Sequence, residues 1–503
     1  MEKRPNILYI MSDDHAANGI SAYDSRLKEV METTNIDRLA KEGGMLKQCF
    51  CTNALCTPSR ATILTGRYSH ETGVRVLSDT MDTNEITYPR LMQAAGYQTA
   101  VIGKWHLHSE PQGFDYYSIF PSQGSYWNPW FMETGFDWSD ICTHKQNDLG
   151  THETGYVTDI VTDKSLKWLE ERDKDKPFML MCQHKAPHDN FEYHPRYEHI
   201  FDGVEIPEPD TLWEDHALRS EATRDRGTSV SERSKVRSYV KLFENPSDWC
   251  TGGIDMEGMT STEKTKVAYQ KYLKDYLRTV KGIDDNVGRL LDYLEAEGEL
   301  DNTVIIYTSD QGMILGEHDF IDKRWIYEES IQMPFLIRYP KEIKPGTVVE
   351  SIIANYDYAA TLLDYTEIEK PECMHGHSFR GLLNGSSDAP INDSIYYRYW
   401  VHLTHHDNPA HYGIRTQKYK LIFFYGLSLD AGSDNPPSTP GWELFDLEKD
   451  PYETTNVYDD LAYKEIAIAL TKQLDATKEA LGDTDERYPE LIAVRQQCLG
   501  VMA

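Results

Sequence analysis

The stretch NILYIMSDDH, residues 6–15, places a short apolar run directly before four polar residues, three of them ionisable. Such a run predicts a buried β-strand that delivers polar side chains at its carboxyl end. The same form recurs in TAVIGKWH (99–106), PFMLMCQHKAPH (177–188) and NTVIIYTSDQG (302–312). Ligands bind beyond the carboxyl ends of the strands in open parallel sheets. The four stretches therefore predict an alternating α/β fold with one shared site at one edge of a sheet.

Two long segments lie between the third and fourth of these predicted strands. Apolar residues recur at helical spacing from Glu263 to Gly298, which predicts one long helix with its apolar stripe in the core. The segment from Gly203 to Gly258 is polar and lacks periodicity, which predicts a long surface excursion or lid.

The pattern changes after Ser386. SIYYRYW, HYGIRTQKYKLIFFYG and GWELFDLEKDP predict antiparallel strands joined by turns, and a helix is predicted near Asp460 to Leu481. We therefore expect two domains. These are a larger α/β domain over residues 1–385 and a smaller α+β subdomain over residues 386–503, with a small antiparallel sheet and a helix.

The composition narrows the classes of partner. The 503 residues include 82 acidic and 51 basic side chains, which gives a formal net charge of −31. This charge argues against nucleic acid or an anionic membrane as a partner, because both attract basic surfaces. No apolar run is long enough to span a bilayer, and no signal-peptide core follows the N-terminus. We expect a soluble protein without a membrane span, cytoplasmic as written, or periplasmic or secreted if a signal peptide has been removed.

Adjacent carboxylates follow the first predicted strand, and two further oxygen ligands follow the fourth. Asp13 and Asp14 repel each other unless a cation or hydrogen bonds offset their charges. Asp310 and Gln311 add a carboxylate and an amide carbonyl. Oxygen ligands without His or Cys favour a hard cation, Ca²⁺ over Zn²⁺. A solvated turn is the alternative for the Asp-Asp pair taken alone.

Three of the eight cysteines, Cys49, Cys51 and Cys56, lie within eight residues. A thiolate metal site is one interpretation, but no second Cys or His cluster of matching spacing completes it. Cys56 also opens CTPSRATILTG, in which Pro58 suits the first turn of a helix. That helix would direct free N–H groups at Cys56, with Arg60 about one turn in, so an anion could be held there. A buried structural cysteine is the alternative.

CTPSR followed by LTG resembles the signature of the type I sulfatases of the alkaline phosphatase superfamily, in which the cysteine of CxPxR is oxidised to Cα-formylglycine. SDDH, GKWH, KAPH, TSDQG with DKR, and WELFDLEKDPYETTNVY are similar to other segments of that family, so the resemblance spans nearly the whole chain. It implies an alkaline-phosphatase-like fold, in which helices flank a mixed, mostly parallel sheet, with a smaller C-terminal α+β subdomain. It also implies that residues 1–385 form a sulfatase catalytic domain.

The resemblance further implies one Ca²⁺ per chain and a ring of groups around the sulfate. The Ca²⁺ ligands would be Asp13, Asp14, Asp310, Gln311 and the modified Cys56. Gln311 departs from the Asn or His often found at its position, although its carbonyl can serve the same role. The sulfate would lie among the side chains of Arg60, Lys104, His106, His188 and Lys323.

The mechanism that the resemblance implies uses these groups in turn. One hydroxyl of the hydrated formylglycine would attack sulfur while the cationic groups stabilise the growing negative charge. His188 or Lys323 would protonate the departing alcohol, and His106 would take a proton from the second hydroxyl and so expel sulfate. The conversion of Cys56 requires a formylglycine-generating enzyme as a partner.

Polar donors are dense in RYWVHLTHHDNPAHYGIRT, residues 398–416. The candidates for contacts with the hydroxyls and carboxylates of a sugar are His402, His405, His406, Asp407, Asn408, His411 and Arg415. An exposed histidine-rich loop is the alternative. His108 and Trp127 are further candidates for the pocket. The pattern is similar to that of bacterial sulfatases that process sulfated polysaccharides, so we expect a sulfated oligo- or polysaccharide as substrate.

Two other classes of protein stay open. A phosphonate monoester or phosphodiester hydrolase of the same superfamily can share both the metal site and the CxPxR nucleophile. A non-catalytic member would bind sulfated glycan without changing it, and Cys56 would then remain a thiol.

Overall fold

The computed structural model describes residues 4–140, 147–245, 247 and 249–498 of the chain. Its strands are β1 (Asn6–Ser12), β2 (Gly44–Leu46), β3 (Cys49–Phe50), β4 (Gln98–Gly103), β5 (Tyr116–Ile119), β6 (Trp130–Glu133), β7 (Thr151–His152), β8 (Phe178–His184), β9 (Thr303–Ser309), β10 (Ile314–Leu315), β11 (Ile321–Asp322), β12 (Phe335–Arg338), β13 (Thr347–Val349), β14 (Ile353–Ala354), β15 (Ser394–Tyr399), β16 (His411–Thr416), β17 (Tyr419–Phe424) and β18 (Gly441–Asp446). Its α-helices are α1 (Thr34–Glu42), α2 (Cys56–Thr65), α3 (Ser69–Thr72), α4 (Tyr88–Ala94), α5 (Val157–Glu171), α6 (Tyr239–Glu244), α7 (Ser261–Ala296), α8 (Glu328–Ile331), α9 (Asp357–Tyr365), α10 (Arg380–Asn384), α11 (Lys464–Ala480) and α12 (Pro489–Gln497).

Ten strands form the central sheet in the order β13-β2-β12-β9-β1-β8-β4-β5-β6-β7. Its middle is parallel from β9 through β5, and antiparallel pairs lie toward both edges. All seven residues of β1, of β8 and of β9 are buried. Strands covered on both faces have continuous apolar runs, and this is why they could be found in the sequence. The predicted α/β fold with a mixed, mostly parallel sheet is confirmed.

The four strands predicted from the sequence are β1, β4, β8 and β9, and they are neighbours in this sheet. In the register of the sheet, Ser12 lies opposite His184 and Ser309, and Gly103 lies opposite Gln183. The residues that follow the four strands therefore leave the sheet from one edge, where their side chains can meet.

Helix α7 is the long helix that the sequence predicts. Thr260 caps it, because its hydroxyl accepts a hydrogen bond from the Glu263 N–H at 3.3 Å, and Glu263 accepts one from the Thr260 N–H at 2.8 Å. The apolar stripe of α7 faces α1, α5 and α6. Tyr272, Leu273 and Ile283 in this stripe are fully buried.

The segment from Gly203 to Gly258 is only in part the surface excursion that the sequence predicts. Val230, Tyr239 and Phe243 are buried in a cluster with the apolar face of α7. The ring centroid of Tyr239 lies 4.6 Å from that of Tyr272. A few apolar residues without a period carry these contacts, so the sequence pattern gave no sign of them.

The strands and the helix predicted after Ser386 are confirmed. Strands β15–β18 form a four-stranded antiparallel sheet, and α11 packs on β15, β16 and β17. The predicted domain boundary between residues 385 and 386 falls before the first strand of this sheet and stays a prediction. Among the described residues, we find no helix with the length and apolar character needed to cross a bilayer.

Candidate active site

Three carboxylates meet at the edge of the sheet where β1 and β9 end. Asp13, Asp14 and Asp310 each contribute an oxygen atom, and these atoms lie within 4.8 Å of one another. All three residues are buried. Burial, followed by the charge of Asp13, raises the pKa of Asp310 to about 7. Three carboxylates at this distance repel each other, so the arrangement calls for a cation among them.

Gln311 completes the donor set. Its Nε2 contacts Asp14 Oδ1 and lies 2.7 Å from Asp310 Oδ1. Its Oε1 is buried and, within the described part of the chain, has no hydrogen-bond partner. Buried polar atoms are rarely left without a partner. If the Gln311 amide turned so that its Oε1 pointed to the same place as the carboxylate oxygens, it would add a fourth oxygen ligand. These residues therefore fit a hard divalent cation.

Cys56 is the first residue of α2. It follows the extended residue Leu55. The helix ends at Thr65, and the next residue, Gly66, has a φ of 63°, the left-handed conformation that glycine adopts without strain. The Cys56 Sγ donates a hydrogen bond to Asp13 Oδ1 at 3.2 Å. Burial, followed by the charge of Asp13, raises the pKa of the thiol well above its usual value. A neutral thiol is a poor nucleophile, so Cys56 in its unmodified form is unsuited to attack an ester.

Three buried cations share the pocket with the three carboxylates. Arg60 Nε donates to Asp310 Oδ2 at 2.9 Å, and Arg60 Nη1 donates to the Lys104 carbonyl at 2.6 Å. Lys104 Nζ contacts Asp13, and Lys323 Nζ lies 2.5 Å from Asp14 Oδ2. Burial raises the pKa of Asp13, but Lys104, His188 and Arg60 outweigh it and hold that pKa well below its usual value. Buried charges require such partners.

Two histidines of the predicted site lie beside this cluster. His188 Nε2 is 3.7 Å from Asp14 Oδ2, and its side chain is 13% exposed. His106 is buried, and its Nδ1 has no hydrogen-bond partner among the described residues. Burial and then the charge of Lys104 lower the pKa of His106 well below its usual value, so its imidazole is neutral. The ring of His108 lies 5.1 Å from the ring of His106, and His108 Nε2 lies 2.8 Å from the Leu77 carbonyl oxygen.

The loop with His405 and His406 forms a polar wall next to Lys323. His406 Nδ1 lies 3.3 Å from Asp322 Oδ2, and Arg324 Nε donates to the same oxygen at 2.8 Å. His405 is exposed, and its ring centroid lies 4.5 Å from that of His406. The polar wall is therefore close to the carboxylate cluster, and His405 is the residue of the wall that a ligand can reach most easily.

The structure does not support substrate contacts for three of the predicted residues. His402 is fully buried, with Nε2 3.1 Å from the Pro436 carbonyl oxygen and Nδ1 accepting from the Ala410 N–H at 3.2 Å. His411 is fully buried, and its ring centroid lies 4.8 Å from that of Phe424. His402 therefore bonds main-chain groups and His411 packs against an aromatic ring, and neither side chain is exposed.

Arg415 is the third of these residues. It forms an ion pair with Glu328 at 2.9 Å, and its guanidinium lies 4.5 Å from the centroid of the Phe50 ring.

Trp127 is half-buried, and its ring centroid lies 5.1 Å from that of Tyr156 and 5.4 Å from that of His194. Its contacts are therefore with aromatic neighbours.

Several side chains at the site were not predicted from the sequence. Lys104 Nζ donates to Gln123 Oε1 at 2.5 Å, and Arg60 Nη1 donates to Gln183 Oε1 at 2.8 Å. Lys185 is buried with its Nζ 5.2 Å from the Tyr126 ring centroid, and burial, followed by Lys104, lowers its pKa to about 8. Gln183 and Lys185 belong to QHKAPH, so their position at a strand end was a usable signal.

A carboxylate cluster that fits a divalent cation and shares its pocket with three buried cations suits a hydrolase of anionic esters, and the sheet is of the alkaline-phosphatase-like class. The family model described as sulfatase matches residues 5–368, and the chain belongs to the sulfatase family. It is a sulfuric ester hydrolase. A second family model, N-sulphoglucosamine sulphohydrolase, C-terminal, matches residues 316–480.

Two sulfatases and one solved structure align with nearly the whole of this chain. An N-acetylglucosamine-6-O-sulfatase of Bacteroides thetaiotaomicron is 39% identical, over 97% of this chain and 89% of that protein. An arylsulfatase of Clostridium perfringens is 28% identical, over 95% of this chain and 96% of that protein. A solved structure of a protein in complex with its substrate D-glucosamine-2-N,6-O-disulfate is 39% identical, covers 97% of this chain and 100% of that chain, and has a TM-score of 0.83.

A protein with a different activity shares this fold. The phosphonate monoester hydrolase of Agrobacterium radiobacter has a TM-score of 0.69, covering 95% of this chain and 96% of that chain. At 19% sequence identity it shares the fold alone. The family membership of this chain therefore depends on the sulfatase matches and not on this likeness.

Proposed function

We propose that this sulfatase hydrolyses the 6-O-sulfate ester of a glucosamine-type residue in a sulfated oligo- or polysaccharide. The observation that carries the proposal is the 39% identity, over nearly the whole chain, to an N-acetylglucosamine-6-O-sulfatase. The solved structure with glucosamine disulfate, at the same identity, supports the same class of sugar. The matched C-terminal model is also named after an enzyme of sulfated glucosamine.

The metal that we propose is one Ca²⁺. Asp13, Asp14, Asp310 and Gln311 would hold it, together with the modified side chain at position 56. When bound, a divalent cation of this kind supplies positive charge that stabilises developing negative charge and acidifies a bound hydroxyl. An all-oxygen donor set without histidine favours Ca²⁺ over Zn²⁺.

We further propose that a formylglycine-generating enzyme converts Cys56 to formylglycine. The hydrated aldehyde would supply a hydroxyl nucleophile at position 56, which the neutral thiol cannot match. The position is suitable because the Cys56 Sγ lies 3.2 Å from Asp13 Oδ1 and because Cys56 begins a helix, whose first N–H groups can bind an anion.

The three buried cations would bind the sulfate oxygens and stabilise the charge that grows on them. Arg60 Nη2 is buried, lies 3.7 Å from Asp13 Oδ1 and, in the described part of the chain, forms no hydrogen bond, so it can donate to such an oxygen. Lys104 and Lys323 approach from the sides of Asp13 and Asp14. Donors that are fixed before the reaction starts need no rearrangement when the charge develops.

Two histidines would move the protons. His188 would give a proton to the departing sugar alcohol, because an alkoxide is a poor leaving group. His106, which burial holds neutral, would take a proton from position 56. On the sugar side, Asp322, Arg324 and His405 would contact hydroxyl and amino substituents, since they form the polar wall next to Lys323.

The test is sulfate release from a set of sulfated sugars by enzyme produced with the maturation enzyme. N-acetylglucosamine 6-sulfate and glucosamine 2-N,6-O-disulfate should both release 6-O-sulfate, whereas galactose 6-sulfate and N-acetylgalactosamine 4-sulfate should release little. Cys56→Ala should abolish the release. Preference for either galactose-type sugar would refute the proposed substrate. Cleavage of a phosphodiester without any sulfate release would favour the phosphonate monoester or phosphodiester hydrolase that the sequence left open.

A further inference from the structure

We propose that Asp189 and Arg237 are positioning residues that hold the His188 imidazole with its Nε2 toward the leaving oxygen. The inference rests on the proposed role of His188 in sulfate ester hydrolysis. It gives a function to Arg237, which belongs to the polar segment 203–258 and carries no recognisable motif.

Acceptor chemistry fixes the tautomer of His188. Its Nδ1 lies 2.8 Å from the main-chain carbonyl oxygen of Asp189 and 3.0 Å from Asp189 Oδ1. A carbonyl oxygen can only accept a hydrogen bond, so Nδ1 must carry a proton. Nε2, 3.7 Å from Asp14 Oδ2, is then the nitrogen that can release a proton into the site.

Arg237 fixes the carboxylate that faces His188. Its Nη2 lies 2.5 Å from Asp189 Oδ2, whereas His188 faces Oδ1. Each carboxylate oxygen thus has its own partner, and the carboxylate cannot rotate without losing one of them. The side chains of Arg237 and Asp189 are 24% and 21% exposed, so solvent and salt screen the pair only weakly. Burial raises the pKa of Asp189, but Arg237 and His188 outweigh it and keep the carboxyl ionised.

The backbone around Arg237 is attached to the loop that carries Lys323. The Arg237 carbonyl oxygen accepts a hydrogen bond from the Ser229 N–H at 3.1 Å. One residue earlier, Thr228 Oγ1 donates to the Ile321 carbonyl at 3.0 Å. Arg237 therefore belongs to a segment that these hydrogen bonds hold in place. This part of the predicted lid connects the His188 side of the pocket to the Lys323 side.

The proton transfer that these residues would support is balanced. The hydroxyl at position 56 would form its bond to sulfur as the bond between sulfur and the bridging oxygen breaks. The bonding electron pair moves to the bridging oxygen, and the His188 imidazolium donates its Nε2 proton to that oxygen. The alcohol O–H bond forms, and His188 becomes a neutral imidazole. Its Nδ1 keeps its proton, which remains hydrogen-bonded to Asp189. Loss of Arg237 would free the Asp189 carboxylate to rotate, so the imidazole would hold this orientation less often.

The experiment compares leaving groups. Arg237→Met, Arg237→Lys and Asp189→Asn are assayed on aryl sulfates of graded leaving-group acidity and on glucosamine 6-sulfate. For Arg237→Met and Asp189→Asn we expect kcat on the poorest leaving groups to fall about tenfold to hundredfold, with less than about threefold loss on 4-nitrophenyl sulfate and little change in KM. Arg237→Lys should recover part of the loss, because a lysine can still pair with Asp189.

Arg224→Met is the matched control. Arg224 belongs to the same segment, and its Nη2 donates to the carbonyls of Ala217 and Arg219. It should leave the whole series unchanged. Equal losses across the leaving groups, or no loss in Arg237→Met and Asp189→Asn, would overturn the inference. If Arg237→Met does not fold by circular dichroism, Asp189→Asn, which keeps the size of the side chain, decides the same question.

The aryl series also separates this inference from the proposed substrate. If the wild-type enzyme cleaves aryl sulfates but not glucosamine 6-sulfate, the proposed substrate is wrong. The dependence on leaving group among the aryl sulfates still decides the role of Arg237 and Asp189.

Discussion

The thiol of Cys56 lies 3.2 Å from Asp13 Oδ1, across 43 positions of the sequence. The first residue of α2 therefore meets the end of β1 inside a pocket that holds three carboxylates and three cations. The same contact makes the thiol unreactive, because burial and the Asp13 charge both favour its protonated form. The chain thus has a well-placed but chemically weak group at the centre of its site, and a modification would resolve this.

Cys56→Ser tests that modification. Serine keeps a small polar side chain but is not the cysteine that the maturation enzyme is expected to oxidise. We expect sulfate ester hydrolysis to fall at least about a thousandfold, with an unchanged melting temperature. Mass spectrometry of the peptide with residue 56 should show the oxidised form only in the wild type. An unmodified wild-type Cys56 in a fully active preparation would contradict the prediction.

Asp310→Asn tests the metal site. The substitution removes one of three clustered carboxylates and should lower Ca²⁺ content and activity together. In the wild type, added Ca²⁺ should raise the melting temperature by several degrees, because ligand binding stabilises the folded state. The variant should show no such rise. The matched control is Asp292→Asn, since the Asp292 side chain is 75% exposed on α7. Full calcium content in Asp310→Asn would remove Asp310 from the ligand set.

The pair His405 and His402 tests which part of the histidine-rich stretch meets the sugar. His405 is exposed next to the site, so His405→Ala should raise KM for glucosamine 6-sulfate about threefold to tenfold, with unchanged hydrolysis of 4-nitrophenyl sulfate. His402 bonds buried main-chain groups, so His402→Ala should lower the free energy of unfolding by about 1–3 kcal/mol. KM should stay unchanged in that variant. If His402→Ala instead raised KM and His405→Ala instead lowered the free energy of unfolding, His402 would be the residue that contacts the sugar.

Part of the fold and of the site could be predicted from the sequence. Strands β1 and β9 were predictable because burial on both faces produces short apolar runs, and Asp13 and Asp310 follow them directly. Helix α7 was predictable because its stripe has a helical period. In all three elements the information is local, and the shared edge of a parallel sheet then brings the strand ends together.

The rest of the site depends on contacts between distant residues. The stretch 398–416 contains the end of β15, a mostly buried loop and the whole of β16, so similar side chains have different surroundings: His405 is exposed and His411 is buried. The Arg237–Asp189 pair spans 48 positions and involves a segment without periodicity. Nothing local distinguishes Arg237 from a solvated arginine, and only the folded chain shows that it faces Asp189.

A buried histidine away from the active site gives a prediction about pH. His318 Nδ1 lies 2.6 Å from Glu214 Oε2, and His318 Nε2 lies 3.6 Å from Glu329 Oε2. Burial and the nearby Arg219 lower its pKa, but Glu214 and Glu329 outweigh them and raise the pKa of His318 to about 9. His318 is therefore charged in the folded protein at neutral pH.

The pH range follows from the direction of this shift. A histidine whose pKa is raised by folding contributes stability that is fully present below its unfolded pKa of about 6.5 and is lost as the pH rises through about 9. We expect His318→Gln to be less stable than the wild type by on the order of 3 kcal/mol at pH 6, and the difference to shrink toward pH 9.5. Urea unfolding at several pH values measures this. His199→Gln is the control, because the His199 side chain is 79% exposed and its replacement should change the free energy of unfolding little. A difference that stays constant with pH would mean that His318 acts through packing and not through its charge.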